Sequence, residues 1–165
     1  MDDFVQSLGL PFLAHRLKRA SELILEGAAT ALRDQGFEAP ARAGSTLLLL
    51  RSNGPTGITE IAYRLRLSHP LIIKLSAALA GAGLVENRSD PRDSRRRLIA
   101  LTDKGAAEAE RLERFVAALG HVLRTMFAEA GIDLFDAIGG FERAVEARPI
   151  ENRLAETLAE QGRAM

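Results

Sequence analysis

The chain has 165 residues, carries 22 Lys and Arg against 22 Asp and Glu, and is 47% apolar. That length buries one good core but leaves no room for two independent domains of ordinary size. It has no cysteine, which excludes structural disulfides, Cys-ligated zinc and thiol redox sensing.

In chain order, Phe4 to Asp34 reads as one or two helices. Phe12, Leu13, Leu17, Ala20, Ile24, Ala28 and Leu32 recur at three- and four-residue steps, as an apolar helical stripe requires. Gly36 and Pro40 end it. Ala41 to Arg51 is a compact second helix closed by the turn Ser52-Asn53-Gly54-Pro55. Thr59 to Leu67 is a short third. Ser68 caps a fourth helix that runs to about Ala82, with Pro70 near its start where a missing N–H costs nothing.

The pattern then changes. Leu84 to Asn87 and Arg97 to Leu101 read as two short strands, joined by a charged tip, Arg88 to Arg96, built around Ser89-Asp90-Pro91. Thr102 caps a long helix reaching about Ala130. Further amphipathic segments follow, from Leu134 to Val145 and from Ile150 to Leu158. The fold class is therefore mainly α, with a β-hairpin. The end helices carry more apolar stripe than one small core absorbs, which points to packing against a second copy.

Charge is unevenly spread. Glu60 to Lys104 holds nine basic and five acidic residues, so it carries +4 and the rest of the chain −4; a basic middle suits a focused anionic partner. His15, His69 and His121 are too far apart for metal-ligand spacing. No phosphate-binding glycine loop, His/Glu ligand set or nucleophile elbow is present. Neither a metal, a cofactor nor an enzymatic activity is expected. The longest aliphatic run, Leu47 to Leu50, falls far short of the roughly 20 residues of a membrane span. Asp2 and Asp3 are the opposite of a basic leader. A cytoplasmic protein without a membrane partner is the expectation.

The segment Gly83-Leu84-Val85, then Asp90-Pro91-Arg92-Asp93-Ser94-Arg95, then Leu101-Thr102-Asp103-Lys104-Gly105 closely resembles the wing of the MarR family of transcriptional regulators. Upstream, Glu60-Ile61-Ala62, Leu65, Leu67-Ser68 and Pro70 fit that family's helix-turn-helix. The resemblance is specific over about Gly54 to Gly105. It implies a winged helix-turn-helix over residues 39–105. Dimerisation helices would lie in residues 1–38 and 106–165, the whole forming one interlocked domain. It further implies a homodimer on a pseudo-palindromic operator in double-stranded DNA, acting as a repressor that a small aromatic or phenolic effector releases.

The residues themselves suggest how DNA would be met. The fourth helix would point its N-terminus, capped by Ser68, toward phosphate. With Ile72, Leu75 and Leu79 facing the core, His69, Pro70, Ile73, Lys74 and Ala77 face outward, and Lys74 can reach a guanine edge or a phosphate. Arg92, Arg95 and Arg96 sit on the hairpin, where one can enter a narrow minor groove. Asp90 and Asp93 hold the turn, and Asp93 with Arg95 is the preferred pair. Solvated surface is the alternative for each of these charges, and ordinary packing or exposure for His15, Tyr63 and His121.

Three departures from the family pattern stand out. Ile73, Ala77 and Ala78 replace polar reading residues, Ser76 replaces an apolar one, and Gly44-Ser45 stands where a bulky aromatic is common. The last opens two readings: an effector cavity lined by Phe12, His15, Gly44 and Phe115, or Phe12 or Phe115 filling the space. Apolar Leu71 and Ile73 also motivate an alternative function, a winged-helix interaction module or heterodimer partner with weak DNA binding.

Overall fold

A computed structural model describes residues 3–163; Asp2 lies outside them. The chain divides into two compact units, one up to Ala117 and one from Ala118 onward.

In the first unit, α1 (Phe4–Leu8) is capped by Asp3, whose carboxylate accepts from the Val5 and Gln6 amides. The same carboxylate meets the Arg19 guanidinium at 2.6 Å. That hydrogen bond holds the Asp3 carboxyl below the usual aspartate range. A 3-10 turn (Leu10–Phe12) leads into α2 (Leu13–Asp34). A second 3-10 turn (Ala41–Ala43) precedes α3 (Gly44–Asn53), so the expected second helix starts three residues later than its pattern suggested. Helix α4 spans Ile58–Leu65 and stops earlier than expected, because Arg66 turns left-handed at φ 52°. Helix α5 covers His69–Gly81 and is followed by Gly83 at φ 70°.

The hairpin is longer than the sequence indicated. Its strands are β2 (Val85–Asp90) and β3 (Asp93–Leu101). A further strand, β1 (Thr56–Gly57), pairs with Ile99 and Leu98 and makes a three-stranded antiparallel sheet in the order β1-β3-β2. Two residues are too few to show an alternation; only the pairing makes β1 a strand. Helix α6 (Asp103–Ala130) continues from the sheet.

One core holds this unit together. Leu47 and Leu50 of α3, Ile61 of α4, Ile72 and Leu79 of α5, Leu84 before β2, Ile99 of β3, and Leu112 of the helix that follows the sheet are all buried. The turn after α2 is tied to α6 by polar contacts. The buried Glu108 carboxylate accepts from the amides of Glu38 (2.7 Å) and Ala39 (2.6 Å). Lys104 donates to Glu38, and Arg111 donates to the Gln35 carbonyl while lying 4.4 Å from the Phe37 ring centroid. Glu108→Gln keeps an acceptor oxygen but loses the charge. We expect it to cost about 1 kcal/mol, measured by chemical denaturation.

The second unit contains the end of α6, then α7 (Leu134–Ala147), capped by Asp133, and α8 (Ile150–Arg163). Arg153 donates to the Ala144 and Arg148 carbonyls and so satisfies the end of α7. Neither α7 nor α8 has a buried residue. Phe135 is 85% exposed, and Phe141, Ile150, Leu154 and Leu158 are also exposed. Among the described residues no single helix is long and apolar enough to cross a membrane.

Candidate nucleic-acid interface

Helix α5 begins as the sequence requires: Ser68 is extended, and its hydroxyl accepts from the Leu71 amide. Ile72, Leu75, Ser76 and Leu79 are buried, while Ser68, His69, Pro70, Ile73, Lys74 and Ala77 are all exposed. At 100° per residue, Pro70, Ile73, Lys74, Ala77, Ala78 and Gly81 share the side opposite the core. This face is nearly bare of donors, with Lys74 as its one charged group. Ser76 is enclosed, and its hydroxyl has no partner among the described residues.

The wing differs in detail from the expected charged loop. Because the strands extend to Asp90 and Asp93, the connecting turn is only Pro91-Arg92, and of the three arginines only Arg92 lies in it. Between the pairs Ser89↔Arg97 and Asp90↔Asp93, β2 advances one residue while β3 advances four. Arg95 and Arg96 therefore sit in a bulge, which turns side chains away from the regular alternation. The physical reason for the difference is that backbone pairing carries the strands outward past the last apolar residue, where alternation no longer reports them.

Both acids hold the turn, but through backbone. Asp90 accepts from the Arg92 amide at 2.9 Å, and Asp93 from the Arg95 amide at 3.0 Å. The expected Asp93–Arg95 pairing is thus made to the main chain, and the Arg95 guanidinium is left over. The guanidinium that meets an acid is that of Arg96, 3.8 Å from Asp90, and it also lies beside Gly57 of β1.

The basic residues now separate into two groups. Arg64 is paired with Glu60, Arg88 with Glu86, Arg97 with the Ser89 hydroxyl, and Lys104 with Glu38 and the Ala82 carbonyl. Lys74, Arg92 and Arg95 have no side-chain partner among the described residues. An unpaired exposed cation gives up no ion pair when it meets a phosphate, so within α5 and the wing these three are the groups most ready to bind an anion.

An open groove of about 710 Å³ runs between α4 and the wing, lined by Asn53, Thr56, Glu60, Arg64, Arg92 and Arg96 among others. Thr56 and Gly57 do not stand out in the sequence. No local signal marks them, because β1 exists only through its partner strand.

The four residues considered for an effector cavity have different surroundings. Phe12 and His15 are exposed. Phe115 packs edge-on against Phe37 with centroids 5.7 Å apart. A side chain added at Gly44 would first meet Leu112, at 3.5 Å. Leu112, rather than Phe12 or Phe115, therefore occupies the space beside this glycine. Among the described residues no cluster of His, Cys, Asp and Glu could hold a metal ion.

Three helices and a three-stranded sheet whose last two strands form the wing define a winged helix-turn-helix protein. Residues 41–96 match the model of the MarR family. The fold is shared with the transcriptional repressor CouR bound to p-coumaroyl-CoA. That match is 28% identical with a TM-score of 0.63, covering 91% of this chain and 99% of that one. The PcaV transcriptional regulator of Streptomyces coelicolor, in complex with its natural ligand, is 21% identical with a TM-score of 0.63, covering 92% and 99%. The MepR–DNA complex of S. aureus is 20% identical with a TM-score of 0.62, covering 82% and 94%. No curated protein sequence matches the chain.

Proposed function

We propose that this protein is a homodimeric, sequence-directed DNA-binding regulator, most simply a repressor that blocks its operator and leaves it when a small aromatic or phenolic molecule binds. The observation that carries this reading is the unpaired set Lys74, Arg92 and Arg95, divided between the outward face of α5 and the wing. The MepR relative crystallised with DNA, and the CouR and PcaV relatives crystallised with small ligands, support the partner and the effector. The exposed apolar residues of α7 and α8 support self-association, since such area is normally covered in solution. A two-fold dimer presents its reading helices about one helical turn apart, so the operator has two half-sites at that spacing.

Duplexes selected from a random-sequence library test the reading by gel shift at two salt concentrations. A specific complex that weakens steeply with salt is the expected result. No complex even at low salt would instead favour a winged-helix interaction module that docks protein through Leu71 and Ile73.

A further inference from the structure

Resting on the DNA-binding reading above, we infer that Ile73 reads the C5-methyl group of thymine in the major groove. Apolar contact, rather than hydrogen bonding, is then the main source of sequence preference in this protein.

The argument begins with what the outward face of α5 lacks. Pro70 has no N–H, and Ala77, Ala78 and Gly81 have no polar side-chain atom. Lys74 is a single flexible cation that serves a phosphate as readily as a base. The side chains best suited to fix a base by hydrogen bonds are planar and two-pronged, Arg, Asn and Gln; this face has none, and the exposed His69 lies at its edge.

What the face offers instead is exposed hydrocarbon. Ile73 is 48% exposed and Leu71, at the flank, 37%. The fold covers these side chains only in part, since the positions that pack fully inward are Ile72, Leu75, Ser76 and Leu79. The only apolar feature of a base edge in the major groove is the thymine methyl. Ala77 and Gly81, one and two turns on from Ile73 along the same face, have little or no side chain and let the helix backbone approach the groove floor. An isoleucine standing above small residues is therefore shaped to touch a methyl group, and burial of that pair stabilises the complex by removing both from water. The wing cations add affinity without base information.

The test uses the full chain and a duplex it selects from a random-sequence library. Thymines in each half-site are replaced one at a time by deoxyuridine, which removes the methyl and changes no Watson–Crick group. We expect one thymine position per half-site where the replacement weakens binding about fourfold. Ile73→Ala, at an exposed position, should fold with an unchanged melting temperature and bind thymine and deoxyuridine duplexes equally at that position. Equal binding of both duplexes by the unaltered protein at every thymine overturns the inference while leaving DNA binding intact. The same fourfold difference persisting in Ile73→Ala shows that another side chain reads the methyl, and overturns the assignment. Failure to select any duplex removes the DNA-binding reading itself, and this inference with it.

Discussion

Gly105→Ala should unfold more of this protein than any single change at its surface, although helix propensity alone predicts the opposite. Gly105 lies in the first turn of α6, where alanine is ordinarily favoured by up to about 1 kcal/mol. A Cβ built there would lie 1.8 Å from the Leu84 carbonyl oxygen and 2.8 Å from its carbon. The obstacle is backbone, so no side chain can swing aside.

Relief requires α6 to move off the base of the wing, and several hydrogen bonds would then break together. The Thr102 amide donates to the Leu84 carbonyl at 3.1 Å. The Thr102 hydroxyl donates to Gly83 and also accepts from the Gly105 amide, and Lys104 donates to Ala82. We expect a destabilisation of about 3 kcal/mol, at the upper end of ordinary overpacking. In a chain of this size that corresponds to a melting temperature lower by roughly 10 °C. Calorimetry decides the sign: a temperature equal to or above that of the unaltered protein means the close approach is absent.

The double variant Arg92→Ala/Arg95→Ala should bind its operator about a hundredfold more weakly, roughly tenfold for each guanidinium removed. The weakening should be nearly the same on every operator variant. Both guanidinium groups are unpaired among the described residues, whereas their amides hold the turn through Asp90 and Asp93. Removing the side chains leaves those backbone hydrogen bonds in place, so the wing keeps its shape and the effect reads charge alone.

The slope of log affinity against log salt should flatten by about 0.9 for each phosphate no longer neutralised. Lys74→Ala is the contrasting case, and if it touches a base it should relax preference at one operator position. Arg96→Ala should cost less than either wing arginine, because Arg96 already faces Asp90 and lies against β1. A double variant that binds with an unaltered salt slope would move the phosphate-binding groups elsewhere on the molecule.

The paired groups explain why a run of arginines could not be read as one functional unit. Arg88, Arg92, Arg95, Arg96 and Arg97 are alike in composition, yet Glu86, Asp90 and Ser89 engage three of them. Which two remain over depends on the bulge in β3 and on where the turn falls. The turn is held by residues two positions apart, but the bulge depends on how the two strands pair beyond it.

Much of the chain is determined locally. The stripe of α2, the Ser68 cap, the inward set Ile72, Leu75 and Leu79, and the Thr102 start of α6 follow from period, capping chemistry and turn composition. These are interactions among near neighbours, and they appear in any window of sequence that contains them. The tertiary structure alone decided the rest. Strand β1 exists because Leu98 and Ile99 lie beside Thr56 and Gly57. Leu112 takes the space beside Gly44, the buried Glu108 carboxylate fixes residues 38 and 39, and the wing extends past its last apolar residue. The first three depend on groups tens of residues apart meeting at one point, and the wing on pairing across the hairpin; sequence records such a meeting only as two unrelated residues.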